Sequence, residues 1–274
     1  MSNLKDRFVN PLTDFGFKRL FGTEPNKDIL IEFLNDLLPE KHQVQDLHYL
    51  DREQLGHNDG ERKAIFDVRC VAESGEHFIV ELQKAKQKWF KDRSIYYASF
   101  PIQQQAQKGE WHFELAAVYT IGILDFVFDD HTKETDPVHV VELKNQRNEV
   151  FYDKLKFIYI ELPKFAKTVE ELNTDLDKWL YLFRHLPDLE NIPEPFNNGV
   201  FAKLFSEATL ANFTREERQQ YEDNLKIYRD LQNTISYARE EGKTEVAVKM
   251  KAEGFDAKMI ARLTGLAESE IGEL

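Results

Sequence analysis

The run Ala64-Ile65-Phe66-Asp67-Val68-Arg69-Cys70-Val71-Ala72-Glu73-Ser74-Gly75-Glu76-His77-Phe78-Ile79-Val80-Glu81-Leu82-Gln83-Lys84 decides how the chain folds. Two segments dense in β-branched and aromatic residues flank a polar break containing Gly75, the pattern of a β-hairpin. Each segment carries one acid in apolar company: Asp67 between Phe66 and Val68, and Glu81 between Val80 and Leu82. A carboxylate is costly to hold there unless something compensates it.

Two independent features set the register. A two-residue loop at Ser74 and Gly75 would place Asp67 opposite Leu82 and mix acids with aliphatics on each face. A three-residue loop, Glu73-Ser74-Gly75, instead sets Phe66 opposite Leu82, Val68 opposite Val80 and Cys70 opposite Phe78 on one face, with Asp67 opposite Glu81 on the other. Such loops favour a left-handed residue last, where Gly75 stands. Directly opposed side chains have Cβ atoms roughly 4.5 to 5.5 Å apart, so the two carboxylates are placed to share one divalent cation.

At 274 residues and 42% hydrophobic content the chain is long enough to bury a full core. Its single cysteine, Cys70, falls on the apolar face of the hairpin, which marks a reduced core thiol and excludes an intrachain disulfide. No signal-peptide core and no apolar window of membrane-spanning length is found, so the expected location is cytoplasmic, with no membrane partner. A net charge of -13 argues against a protein that coats nucleic acid nonspecifically, and leaves room for a local basic surface.

Outward from the hairpin, residues 10–22 form a short helix with Thr13 or Asp14 as N-cap and Gly22 as its stop. Asp14 and Lys18 are four apart and share a face, as a surface pair or beside the catalytic face. A second helix runs from Lys27 to Leu38 on the stripe Leu30, Phe33, Leu34, Leu37 and Leu38, with Glu32 off that stripe. Val44 to Leu50 reads as a first strand, and residues 51–63 as a polar loop with the turn signal Asn58-Asp59-Gly60.

Directly after the hairpin, Lys84, Lys86, Lys88, Lys91 and Arg93 stand against a single acid, Asp92, with Trp89 and Phe90 interleaved. Beside paired carboxylates, such a cluster suits a phosphate-bearing polymer. The helix that begins here runs to about Lys108, with Pro101 kinking or restarting it. Phe113 to Leu124 reads as a central strand, followed by an acidic loop, Asp125 to Asp136, without the spacing of a calcium loop. Val138 to Leu143 and Phe157 to Glu161 read as further strands. A helical stripe then follows from Leu172 to Phe183, and a capping box at Thr214 and Glu217 starts a helix ending at Gly242. Residues 260–271 resemble a shortened helix-turn-helix and read as a small helical appendage.

An acid on one strand, Glu-x-Gln on its partner and a basic helix after them resemble the core of the PD-(D/E)XK nucleases. More closely, the chain resembles the Rpn family of recombination-promoting nucleases and transposases. NPLTDFGFKRLFG at 10–22, FDV and VELQ within 66–83, RSIYY at 93–97, ELPKF at 161–165 and DKWLYLF at 177–183 carry the likeness. The fold this implies is α/β (α+β): a restriction-endonuclease-like mixed sheet flanked by helices over 1–165, a helical region over 166–241 and a small helical tail over 242–274.

Carried over by position, Asp67 and Glu81 match the metal-binding acids, and Gln83 stands where the wider superfamily has lysine. Glutamine can position water but cannot supply a cation, so Lys86, past the strand end, is the candidate for charge. Lys84 should point to the opposite face. The implied activity is Mg²⁺-dependent (or Mn²⁺-dependent) hydrolysis of DNA phosphodiesters in recombination or element mobility. Asp67, Glu81 and the Leu82 carbonyl would bind the ion, and Gln83 would orient water. Asp14, Lys18, Glu32 and Lys86 are accessory candidates, and Lys84, Lys88, Lys91 and Arg93 are candidate DNA-phosphate contacts. Two other readings remain: a nuclease-fold protein that binds DNA or a partner without cutting, and DNA strand transfer, which calls for a second DNA site and a multimer. A homo-oligomer is compatible with each.

Overall fold

The structure is a computed structural model that describes residues 7–38, 43–51, 53–54, 64–106 and 112–274. A six-stranded mixed sheet runs through it in the order β1-β4-β5-β6-β8-β7, from β1 (Leu47–Tyr49), β4 (Val68–Ala72), β5 (His77–Gln83), β6 (Val118–Leu124), β8 (Val150–Glu161) and β7 (Val138–Lys144). The central trio β5, β6 and β8 is parallel and its flanks are antiparallel. A separate two-stranded ladder joins β2 (Glu53–Gln54) to β3 (Ala64–Ile65). The turn signal at 58–60 lies outside the described residues.

The hairpin has the expected register, with Val68 opposite Val80 and Cys70 opposite Phe78. Its loop closes through the Ala72 N–H on the Glu76 carbonyl at 2.8 Å and the Gly75 N–H on the Ala72 carbonyl at 2.9 Å. Gly75 has φ +100°, a backbone that a side chain would strain. The expected pairing does not extend to Phe66. The regular strand begins at Val68, and Phe66 turns to pack with Ile79, Tyr97 and Phe100 on the face that also carries Glu81. Aromatic packing against the helix over that face outweighs continuation of the ladder.

Alternation along β5 divides the sheet. Phe78, Val80 and Leu82 align with Tyr119, Ile121 and Ile123 of β6, and Ile79, Glu81 and Gln83 align with Thr120, Gly122 and Leu124. Helix α3 (Phe90–Gln104) covers the second face through Phe90 and Ala98, which pack with Val118, Leu124, Phe128, Phe157 and Tyr159. Pro101 is accommodated inside α3, which ends at Gln104. Helices α1 (Asp14–Phe21), α2 (Lys27–Leu37), α4 (Asp175–His185) and α5 (Gly199–Ala208) pack together through Phe21, Phe33, Trp179, Phe183 and Phe201. Tyr49 Oη of β1 donates to the Phe21 carbonyl at 2.8 Å and ties α1 to the sheet.

Several boundaries differ from the sequence reading. Strand β6 starts at Val118 rather than Phe113, which has φ +59° and is exposed. Strand β8 starts at Val150, because residues 150–154 extend past the pairing with β6 as an antiparallel ribbon with β7, where polar residues are tolerated. Helix α5, with its buried Phe201, Leu204 and Phe205, had no counterpart in the sequence reading.

The Thr214–Glu217 capping box is present, with Glu217 N–H on Thr214 Oγ1 at 3.1 Å and Thr214 N–H on Glu217 Oε2 at 2.8 Å. Helix α6 (Arg215–Ala252) nevertheless runs through Gly242. A helical glycine costs only about 1 kcal/mol relative to alanine, and nothing else there breaks the pattern. The chain divides into two compact units, Met1–Asn224 and Leu225–Leu274. In the smaller, α7 (Ala257–Thr264) and α8 (Glu268–Glu273) close a core of Ala247, Ile260 and Ile271. No helix among the described residues is long and apolar enough to cross a membrane.

Candidate active site

Asp67 and Glu81 are locked together by backbone contacts. In place of the ladder partner lost when the chain bends before Val68, Asp67 Oδ2 accepts the Leu82 N–H at 2.7 Å. The Asp67 backbone N–H in turn faces the Glu81 carboxylate. Since the N–H and C=O of one strand residue point to the same edge, the Leu82 carbonyl is directed toward Asp67 as well.

Glu81 is only 8% exposed, and its Oε1 is buried with no hydrogen-bond partner. Burial first, and then the charge of Asp67, push its carboxyl up to about 8, against the pull of Arg93. Burial also raises Asp67. The Leu82 N–H opposes that rise and Asp14 adds to it, while Lys18 and Lys84 pull the other way. Across the parallel ladder, Glu81 pairs with Gly122. A Cβ at Gly122 would lie 3.0 Å from Tyr159 Cδ1, so glycine lets the aromatic layer under α3 close beside the acid.

Asp14, at the start of α1, pairs with Lys84 at 2.6 Å rather than with Lys18 four residues on. Lys84 therefore faces α1, whereas Gln83 faces α3. Gln83 Nε2 donates to the Ala85 carbonyl at 2.9 Å, and its Oε1 accepts from Arg93. The Arg93 guanidinium also lies 5.1 Å from the centre of the Phe90 ring. It is thus fixed beside Glu81 from the helix above the sheet.

The remaining candidates are more dispersed. Lys86 pairs with Asp129, and Lys91 with Asp130 at 2.7 Å, so the acidic turn after β6 caps two of the basic side chains. Lys88 is exposed and lies 4.9 Å over the Trp89 ring. Burial raises the Asp36 carboxyl and the charge of Glu32 adds to it, which places Glu32 beside Asp36 on α2.

Two features escaped the sequence reading. The contact between Gln83 and Arg93 joins residues ten apart across a strand–helix junction, with no spacing rule to reveal it. Among the described residues, His131, His139 and Glu161 also bring their ligand atoms within 4.8 Å of one another. Only Glu161 had been singled out, as the first residue of ELPKF.

A pair of acids carried by one hairpin and a mixed sheet flanked by helices agree with the hairpin reading, whereas the bend at Asp67 and the glutamine holding an arginine go beyond it. No curated protein and no solved structure matches the chain. A family model described as PD-(D/E)XK nuclease family transposase matches residues 11–238, most of the chain, and the protein belongs to that family.

Proposed function

We propose that the protein is a divalent-metal-dependent DNA endonuclease whose site is built on Asp67 and Glu81. The observation that carries this reading is Glu81 Oε1, a buried carboxylate oxygen without a hydrogen-bond partner, next to the half-buried carboxylate of Asp67. Two neighbouring acids, both raised by burial and Glu81 further by the charge of Asp67, form a donor set of hard oxygens suited to Mg²⁺ or Mn²⁺. Asp67, Glu81 and the Leu82 carbonyl would hold the ion. When bound, such an ion polarises the phosphate and generates a nucleophile from water at neutral pH.

Around that centre the chain supplies placement and charge. Arg93, held by Gln83 and stacked near Phe90, puts a guanidinium beside the acids, where charge builds on the phosphoryl oxygens during hydrolysis. Gln83 acts chiefly through Arg93, and its second amide hydrogen is left to orient water. Lys84, Lys88 and Lys91 would contact the DNA backbone. Asp14 steadies Lys84.

A plasmid assay tests the proposal. Parent protein should nick supercoiled DNA with Mg²⁺ or Mn²⁺ and not with Ca²⁺, and Asp67→Ala and Glu81→Ala should each reduce nicking to background. Undiminished cutting by both variants would overturn the assignment.

A further inference from the structure

We propose that His131, His139 and Glu161 form a second metal site, for a zinc-class ion, separate from the Asp67–Glu81 centre. The three residues come from different elements: His131 from the short 3-10 turn Asp129–His131 after β6, His139 from β7, and Glu161 from the last position of β8. Their ligand atoms already stand at the spacing of a coordination shell. His131 Nδ1 is 3.1 Å from Glu161 Oε1, and His139 Nε2 is 3.1 Å from Glu161 Oε2. Ligands at about 2.0–2.1 Å from a tetrahedral zinc are separated by a similar distance, and imidazole nitrogens favour zinc over magnesium. The Glu161 side chain is wholly buried, and the two imidazoles are partly exposed beside it.

The hydrogen bonding around His139 gives a second, independent reason. Its Nδ1 lies 3.1 Å from Glu134 Oε2, a carboxylate outside the trio. With Nδ1–H donated to Glu134, Nε2 is the ring nitrogen turned to Glu161 Oε2, placed to coordinate a cation held there. A carboxylate behind a ligating histidine is also the outer arrangement that fixes tautomer and ring orientation at metal centres.

In the metal-free protein the cation is Lys164. Its Nζ lies 2.6 Å from Glu161 Oε2 and 3.1 Å from His139 Nε2. Glu161 Oε1 is meanwhile held by the Phe128 N–H at 2.7 Å. Zinc would take the place of the ammonium, with His131, His139 and Glu161 as protein ligands and the fourth position open to water. The ion would fasten the acidic turn to the ends of β7 and β8.

The test uses the full chain with Mg²⁺ in excess, so that the hairpin acids are already supplied with their own ion. Titration with Co²⁺ as a spectroscopic stand-in should give the intense visible absorption of a tetrahedral nitrogen–oxygen site, saturating at one ion per chain, and Zn²⁺ should bleach it. Calorimetry should show Zn²⁺ affinity at least tenfold weaker in His131→Ala and in His139→Ala, and stronger in Lys164→Met, which removes the competing cation. Absence of the tetrahedral spectrum from the parent overturns the site whatever the variants do, as does Zn²⁺ binding undiminished in His139→Ala with its far-ultraviolet dichroism intact. Neither outcome depends on DNA cleavage, so this site and the nuclease centre fail or stand separately.

Discussion

Glu81 is an acid whose surroundings oppose its own charge, and the direction of the effect can be tested without substrate. Its folded carboxyl titrates near 8, whereas an ordinary glutamate titrates near 4.5. Between those values the folded chain keeps a proton that the unfolded chain has released. The resulting stability is fully present below pH 4.5 and is lost as pH rises through 8. Glu81→Gln cannot lose that proton. In metal-free buffer the variant should therefore melt close to the parent at pH 4.5 and gain over it by pH 9, by on the order of a few kcal/mol. A difference independent of pH would show that Glu81 is not held neutral by burial. Arg93 is the counterpart cation, and removing it leaves Gln83 without its partner. Arg93→Met should lower the nicking rate about a hundredfold, as expected for loss of one preorganised donor, with part of it restored in Arg93→Lys.

At the scale of elements, the hairpin was legible because two constraints agreed: alternation of apolar residues, and a glycine at the one loop position that needs a positive φ. The pairing of Val68 with Val80 follows from them. The bend at Asp67 was not legible, since it arises from Phe66 finding Tyr97 and Phe100 on a helix thirty residues later. Strand β8 was shortened in the sequence reading for a related reason. Its first half pairs outside the core, where the sequence no longer needs an apolar face. The acidic turn reads in the sequence as a loop without the spacing of a calcium site, and its ion pairs between Lys86 and Asp129 and between Lys91 and Asp130 were not legible because they depend on tertiary approach alone. Those pairs are solvent-exposed and contribute little to stability, but they neutralise charge where DNA would bind. Asp129→Asn with Asp130→Asn should leave the melting temperature nearly unchanged, tighten DNA binding, and steepen its salt dependence by about two counterions. Fluorescence anisotropy across a salt series reads both slope and affinity. Unchanged affinity would mean that Lys86 and Lys91 do not meet DNA.

For the whole molecule, a charge of -13 and the proposed DNA substrate are reconciled by a local excess of cations: residues 84–93 hold Lys84, Lys86, Lys88, Lys91 and Arg93 against the single acid Asp92 in a chain that is acidic overall. The family match ends at residue 238, inside helix α6, and the smaller compact unit begins at Leu225 of the same helix. The sequence reading sets a helical tail at 242–274, with Gly242 as the stop before it, whereas the helix itself runs on through that glycine. Every residue from Asn233 to Gly242 is solvent-exposed, so this stretch is held by backbone hydrogen bonds without side-chain burial. Segments of that kind open at a small fraction of the global unfolding free energy, and the glycine lowers the cost by about 1 kcal/mol more. Arg239 lies within it and offers trypsin a site. Brief digestion under native conditions should cut after Arg239 before any position within residues 64–224, and mass spectrometry should find the carboxy-terminal piece beginning at Glu240. The larger fragment should keep its melting transition, because the sheet and the helices α1 to α5 lie entirely within it. First cuts inside α3 or the hairpin would instead place the weakest part of the protein at its proposed active site.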